Sequence, residues 1–107
     1  MKFITVHSEA YAEVVEAAEF YESCSPGLGF ALLAEVERSL EHIAATPEAW
    51  QHIGKRARCK PLWRFPYSVI CAVYPNRVRV VALAHQKRRP FYWRRRLKEP
   101  AEDPTSA

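Results

Sequence analysis

The sequence predicts an α+β fold in which a helical hairpin packs on a small, mainly antiparallel four-stranded sheet. Apolar residues recur at helical spacing between residues 8 and 45. Between residues 59 and 85 they fall instead into runs rich in valine, isoleucine and aromatic residues, separated by prolines, as is typical of β-strands. With 107 residues, 49% of them hydrophobic, the chain forms one domain with its own core.

The first half of the chain contains a short strand and two helices. Residues 3–6 are predicted to be extended, and Ser8 is predicted to cap the N-terminus of the first helix. Ser25-Pro26-Gly27 ends that helix. The second helix runs from about Leu28 to Ala45, where Thr46-Pro47 stops it. Two helices joined by so short a connection form an antiparallel hairpin.

The second half begins with a loop at residues 47–57 and continues as a three-stranded meander. The predicted strands are Cys59 to Phe65, Tyr67 to Tyr74 and Val78 to His85. Pro61 indicates that the first of these is an edge strand or contains a bulge. The last strand is predicted to be central and covered on both faces. Strict alternation along it predicts one face made of Arg77, Arg79, Val81, Leu83 and His85.

The remaining residues are predicted to form a short helix and a tail. Pro90 opens a basic helical stretch from Phe91 to Leu97, and the domain is predicted to span residues 1–98. Residues 99–107, with two prolines and small polar side chains, are predicted to be a flexible tail. The predicted order is therefore β-α-α-β-β-β followed by a short C-terminal helix.

The charge of the chain is divided along its length. From Lys55 to Lys98 there are fourteen basic residues and no acidic one, whereas residues 1–54 carry nine glutamates against Lys2 and Arg38. A surface of one sign attracts polyanions or an acidic protein segment. The glutamates of the first helix are predicted to form a solvated outer face that repels nucleic acid: Glu9, Glu13, Glu16, Glu19 and Glu22.

Cofactor, metal and membrane functions are not expected. The three cysteines are widely spaced and form no CxxC pair, which argues against a disulfide framework and a zinc site. Since no run resembles a signal peptide or a membrane span, we expect a cytoplasmic protein without a membrane partner.

The richest concentration of candidate site residues is the basic-aromatic segment, residues 87–96. Arginines interleaved with aromatic rings suit RNA, and they suit an acidic protein partner equally well. The rings themselves are expected to pack on the core, at least in part, while the arginines face water. Basic residues on the strand at 59–65 are predicted to extend this patch. The candidate residues for binding a target or phosphate are Arg58, Lys60, Arg64, Lys87, Arg88, Arg89 and Arg94.

His85, at the end of the last strand, has two interpretations. Neighbouring cations disfavour its charged form, so a neutral imidazole is available as a general base. Alternatively, it is a histidine at a strand end that hydrogen-bonds to the backbone.

Several motifs resemble the RelE/ParE superfamily of bacterial toxins. They are Ala18-Glu19-Phe20-Tyr21-Glu22 followed by Pro26-Gly27-Leu28-Gly29, then Phe65-Pro66-Tyr67, and finally residues 84–94. The last contains the His-x-x-Arg-x-Pro-x-x-Trp ending common in plasmid-stabilisation members. The resemblance spans residues 3–97. It implies the toxin of a type II toxin–antitoxin system, which inhibits growth and is neutralised by a small cognate antitoxin encoded beside it.

The resemblance leaves two activities open. ParE-like members poison DNA gyrase, whereas RelE-like members cut messenger RNA on the ribosome and carry an arginine after the aromatic residue that Tyr67 matches. This chain has Ser68 there, which favours the gyrase type. In the ribonuclease alternative, the catalytic residues are His85 as base, Tyr92 as a second proton-transfer group and Arg64. A further alternative is a non-toxic nucleic-acid-binding module.

Overall fold

The computed structural model of the chain describes residues 3–98 and confirms the α+β class. The tail predicted at residues 99–107 lies outside the described residues. The elements are β1 (Phe3–Val6), α1 (Ser8–Cys24), α2 (Leu28–Ala45), β2 (Gln51–Ile53), β3 (Ala57–Pro61), β4 (Tyr67–Val73) and β5 (Arg77–His85). Short 3-10 turns occupy Pro47–Ala49 and Arg94–Leu97, the latter in place of the predicted C-terminal helix.

The sheet has five strands rather than the predicted four, in the order β1-β5-β4-β3-β2. β1 is parallel to β5, and the other pairs are antiparallel. The additional strand, β2, pairs with residues 57–59 of β3 across a turn in which Gly54 has a φ of 70°. Three residues are too few for a periodic signal, which explains why the sequence predicts a loop there. With β2 outside it, β3 is not an edge strand, and Pro61 lies beyond the paired residues of β2.

A register shift in β5 changes which residues share a face. Ile70 lies opposite Ala82 and Cys71 opposite Val80, so Val81 has no partner in β4. An extra residue of this kind reverses the alternation beyond it. Val78, Val80 and Leu83 therefore all face the helices, whereas Val81 and Ala82 belong to a separate cluster. The prediction that Leu83 and His85 share a face with Arg77 and Arg79 was wrong.

Each face of the sheet has its own apolar core. On the helix face, Leu32, Val36 and Ile43 of α2 belong to one buried cluster with Val69 and Val78 of the sheet. On the second face a smaller cluster forms around Trp93, which is 5% exposed. Its strand members are Ala57, Ile70, Ala72, Val81 and Ala82. β5 is thus covered on both faces, and a ring of the basic-aromatic segment packs in the core, as predicted.

The chain passes from β1 into α1 through a buried histidine. His7, 1% exposed, donates its backbone N–H to the carbonyl of Val80 at 2.9 Å. Its Nδ1 accepts from the N–H of Glu9 at 3.0 Å, which makes His7 the N-cap instead of Ser8. A single residue therefore ends the strand pairing and begins the helix. Neither helix of the described residues combines the length and apolarity needed to cross a membrane.

The two helices pack closely at Gly29. A Cβ atom there would lie 2.5 Å from the carbonyl oxygen of Ala18 on α1. Beside it, the carboxylate of Glu22 accepts from the N–H groups of Gly27 at 2.8 Å and Gly29 at 3.0 Å. These bonds satisfy N–H groups that have no partner inside α2. Glu22, Gly27 and Gly29, which belong to the motif that resembles the toxin superfamily, therefore hold the two helices together.

We predict that Gly29→Ala destabilises the protein, although alanine is the better helix former by about 1 kcal/mol. The added methyl group has no room against the backbone of α1, and we expect a loss of about 1–3 kcal/mol in the free energy of unfolding. Urea denaturation measures this change. A gain in stability would show that the helices do not pack as closely as described.

Candidate functional site

The candidate site is built on the part of β5 that extends past β1. β1 ends opposite Val80, and no other described strand continues along that edge. Two side chains bond to it instead. Glu13 of α1 accepts from the N–H of Leu83 at 3.0 Å, and Arg96 donates to the carbonyl of Val81 at 3.0 Å. The pair supplies hydrogen bonds of the kind that a longer β1 would have made.

Glu13 and Arg96 also bond to each other. Arg96 Nη1 and Nη2 lie 3.1 Å from the two carboxylate oxygens of Glu13. The side chain of Arg96 is 4% exposed and that of Glu13 is 13% exposed. A two-point arginine–carboxylate bond in such surroundings is strong and directional. It joins α1, the edge of β5 and the basic-aromatic segment at one point.

Further contacts extend this network along α1. Arg95 donates to both carboxylate oxygens of Glu9, at 2.8 and 2.7 Å. These bonds hold the pKa of Glu9 below its ordinary value. Arg88 lies 3.5 Å from Glu13. The prediction of a solvated glutamate face was therefore wrong for Glu13, which is 13% exposed. Glu9 is 41% exposed, as that prediction expects, and it also pairs with Arg95. Both glutamates connect the basic-aromatic segment to α1.

The hydroxyl of Tyr92 is committed to the same network. It donates to Glu13 Oε2 at 2.7 Å, while the guanidinium of Arg88 lies 3.8 Å from the centre of its ring. Burial, reinforced by the bond to Glu13, raises the pKa of Tyr92 above its ordinary value. A hydroxyl held in this way keeps its proton, and it can exchange that proton with a substrate only after the network opens.

His85 has its Nδ1 engaged by the backbone. This nitrogen accepts from the N–H of Lys87 at 3.0 Å, and the ring stands edge-on to that of Tyr67 with 5.0 Å between centres. The imidazole borders a cavity of about 360 Å³ between α1 and the end of β5. Glu13, Glu16 and Arg88 also line this cavity. The structure thus places His85 in the backbone-bonded role that was one of its two interpretations.

The predicted basic patch is divided between the two faces of the sheet. Ala57 and Cys59 pack in the second-face core, so Arg58 and Lys60 point to the helix face. There Arg58 is only 8% exposed, and the ammonium of Lys60 lies 4.8 Å from the centre of the Trp50 ring. The expectation that these residues extend the patch of the basic-aromatic segment was wrong. Arg64 is exposed in the turn that follows β3.

The other predicted cations, Lys87, Arg88, Arg89 and Arg94, are all exposed. Three of them, Arg88, Arg89 and Arg94, line cavities beside Phe91, which has a φ of 61°, and Arg88 also reaches Glu13 of α1. Cavities of about 280 and 230 Å³ both touch Phe91, with Arg94 lining the former and Arg88 and Arg89 the latter. Ser68 lines the smaller cavity, so the position where the resemblance places a ribonuclease arginine faces this site.

The described residues offer little further chemistry. Among them, no group of three or more histidine, cysteine, aspartate or glutamate side chains is arranged to hold a metal ion. Burial raises the pKa of the Cys71 thiol to about 12, which keeps it protonated near neutral pH. The exposed cations and rings of this site can contact a partner of opposite charge.

Sequence reasoning missed Glu13 and Arg96, which lie 83 residues apart. One signal was available for Glu13. It adjoins the apolar positions Ala10, Val14 and Ala17 and so lies at the border of the buried stripe. Nothing in the sequence distinguishes Arg96 from Arg94 and Arg95.

Comparison with known proteins identifies a fold. No family model matches the sequence, and no curated protein matches it. Among solved structures, a chain of the "Chromosomal ParDE TA system from P. aeruginosa" matches with a TM-score of 0.68 and 12% identity. The alignment covers 79% of this chain and 96% of that one. The two chains share a fold. At this identity the likeness concerns the architecture alone.

We predict that Glu13→Gln lowers the free energy of unfolding by about 3 kcal/mol, because it removes the nearer of the two carboxylates beside the buried guanidinium of Arg96. The other carboxylate, that of Glu9, lies 3.7 Å from Arg96 Nε. Glu16→Gln is the matched control on the same helix. Its side chain is exposed, and a change below about 0.5 kcal/mol is expected. Urea denaturation of both variants measures the two changes in the free energy of unfolding. Equal losses would contradict the central place given to Glu13.

We predict that the stability of Tyr92→Phe depends less on pH in the alkaline range than the stability of the wild type. Because the pKa of Tyr92 is raised from 10.0 in the folded state, its contribution to stability is complete below about pH 10 and is lost as the pH rises further. Wild-type protein should therefore lose stability more steeply between pH 10 and 12 than Tyr92→Phe. Tyr11→Phe, which alters an exposed ring, should follow the wild type. Melting temperatures across this range test the prediction, and parallel curves for all three proteins would refute it.

Proposed function

We propose that this chain is the toxin of a type II toxin–antitoxin pair, acting in the cytoplasm by binding a protein target rather than by cleaving RNA. The ParE type, with DNA gyrase as target, accounts best for its residues. The architecture shared with the ParDE chain supports the toxin class. The observation that carries the mode of action is the state of the two candidate proton-transfer groups: the Tyr92 hydroxyl is bonded to Glu13, and His85 Nδ1 is bonded to the backbone.

Two features count against phosphodiester cleavage, although Arg88 and Arg89 line the same cavity as His85 and Tyr92. Attack by a 2′-hydroxyl needs a base, an acid and a cation at the developing charge. The cavity that holds His85 and Tyr92 has Ser68 at the position where the resemblance expects the arginine. Arg64, the other predicted catalytic residue, lies in the turn after β3 and does not line that cavity. Binding through the exposed cations requires none of these groups.

The proposed antitoxin has a suitable surface on the helical hairpin. Phe20, Phe30 and Leu33 are 58%, 73% and 39% exposed, and an apolar cleft of about 190 Å³ lies beside the last two. Exposed apolar surface of this kind is typical of a protein-binding face. An amphipathic antitoxin segment that covers these residues, with acidic side chains towards the basic half, would neutralise the toxin.

Expression of the chain alone in a bacterial host tests the function. We expect growth arrest that the adjacent antitoxin gene relieves, transcripts that stay intact in primer extension, and inhibited supercoiling by purified gyrase. We also expect the double variant His85→Ala, Tyr92→Phe to remain toxic if it folds, which melting curves control. Cuts within translated codons that this double variant abolishes would establish the ribonuclease instead.

The nucleic-acid-binding alternative predicts a different result. Such a module would bind RNA or DNA without arresting growth, and on duplex DNA the logarithm of its affinity would fall with salt by about 0.9 per phosphate contacted. Growth arrest without such binding would exclude it.

A further inference from the structure

We propose that the turn between β3 and β4 is the element that contacts the protein target, with Trp63 as its central residue. We name residues 62–66 the Trp63 turn. The inference rests on the proposed function and assigns to it a surface outside the basic-aromatic segment. Its starting point is that the indole of Trp63 is 90% exposed.

The turn that carries Trp63 is firmly held at both ends. Leu62 and Phe65, on either side of the exposed pair Trp63 and Arg64, are each 5% exposed and belong to the core of the helix face. The N–H of Leu62 donates to the carbonyl of Tyr67 at 2.8 Å, and the N–H of Tyr67 donates to the carbonyl of Phe65 at 2.8 Å. The exposure of Trp63 is therefore a property of an ordered turn.

A buried carboxylate fixes the tip itself. Glu35 of α2, 7% exposed, accepts hydrogen bonds from the backbone N–H groups of Trp63 and Arg64, the latter at 3.2 Å. One side chain thus satisfies two adjacent N–H groups of the turn. These hydrogen bonds hold the backbone under the indole in one conformation, so that less entropy is lost when a partner binds it.

The composition of this surface favours a protein as the partner. Tryptophan and arginine are the residues most often found at the energetic centres of protein interfaces, and here they are adjacent and exposed. Next to the turn, Phe65 contacts Tyr21 with 5.0 Å between ring centres, and Tyr21 contacts the exposed Phe20 at 5.2 Å. These ring contacts connect the turn to the exposed Phe20 of α1 through the buried Phe65 and the half-buried Tyr21.

The charges on the adjoining part of α1 disfavour a nucleic acid there. Glu16 and Glu19 are exposed on α1 beside Phe20 and would repel a phosphate backbone. A protein surface can offer an apolar slot for the indole of Trp63 and a carboxylate within reach of Arg64. The proposed partner is therefore a protein that offers this slot.

The experiment compares Trp63→Ala with Phe3→Ala, which removes another exposed aromatic ring, 79% exposed, from the start of β1. For each protein, growth arrest, inhibition of purified gyrase, neutralisation by the antitoxin and the melting temperature are measured. We expect Trp63→Ala to be about 30-fold weaker against gyrase, the effect of one central interface residue. Its melting temperature and its neutralisation should stay unchanged, and Phe3→Ala should match the wild type.

Glu35 is a positioning residue in this proposal, and a double-mutant cycle tests it. Glu35→Gln should weaken inhibition in the wild-type background and have a smaller effect when Trp63 is already alanine, because only the position of Arg64 then depends on Glu35. A purely structural loss would add to the effect of Trp63→Ala instead. Additive effects would therefore contradict the positioning role.

The outcomes separate this inference from the function on which it rests. Undiminished growth arrest and gyrase inhibition by Trp63→Ala would overturn the inference and leave the proposed function standing. A wild-type chain that neither arrests growth nor inhibits gyrase would overturn both. If Trp63→Ala instead loses affinity for a single-stranded RNA oligonucleotide and keeps its activity on gyrase, the turn is a nucleic-acid contact and the proposal of a protein partner is wrong.

Discussion

The structure depends on the completion of one strand edge by an ion pair. β1 pairs with only part of β5, and the carboxylate of Glu13 and the guanidinium of Arg96 bond to the backbone beyond it. Since unsatisfied backbone groups are costly in a protein interior, this pair determines where the basic-aromatic segment can lie. Trp93 then covers the second face, and the hydroxyl of Tyr92 is drawn onto Glu13. The Glu13–Arg96 pair therefore supports both the sheet edge and the candidate site.

Local patterns predicted most of the architecture. The spacing of apolar residues predicted both helices, and proline and glycine predicted the break between them; β4 and β5 followed from their β-branched runs. What escaped prediction depends on contacts between distant residues. The unpaired residue Val81 reverses the faces of β5, and β2 is a strand only because β3 lies beside it. Neither leaves a periodic signal in the sequence.

The sequence predicted the residues of the candidate site without their contacts. It treated the arginines of the basic-aromatic segment as one group that faces water, whereas Arg96 is buried and their contacts differ. Arg95 and Arg96 bind glutamates of α1, whereas Arg94 stays exposed beside Phe91. Sequence charge alone does not distinguish a paired arginine from a free one, because the partner is set by the fold. The same holds for Glu35, whose buried carboxylate supports a turn 28 residues further along the chain.

The pairing of β1 with β5 has a consequence for how the chain is made. Phe3 lies beside Arg77, so the first strand emerges from the ribosome long before its neighbour exists. Contacts between residues so far apart in sequence form slowly. At a synthesis rate of about 5–20 residues per second, the helical hairpin is complete before the strands that cover it have been made. Until Arg96 has been added, the edge of β5 lacks one of its two partners. A chain that ends early would therefore expose an open strand edge, which favours aggregation over activity.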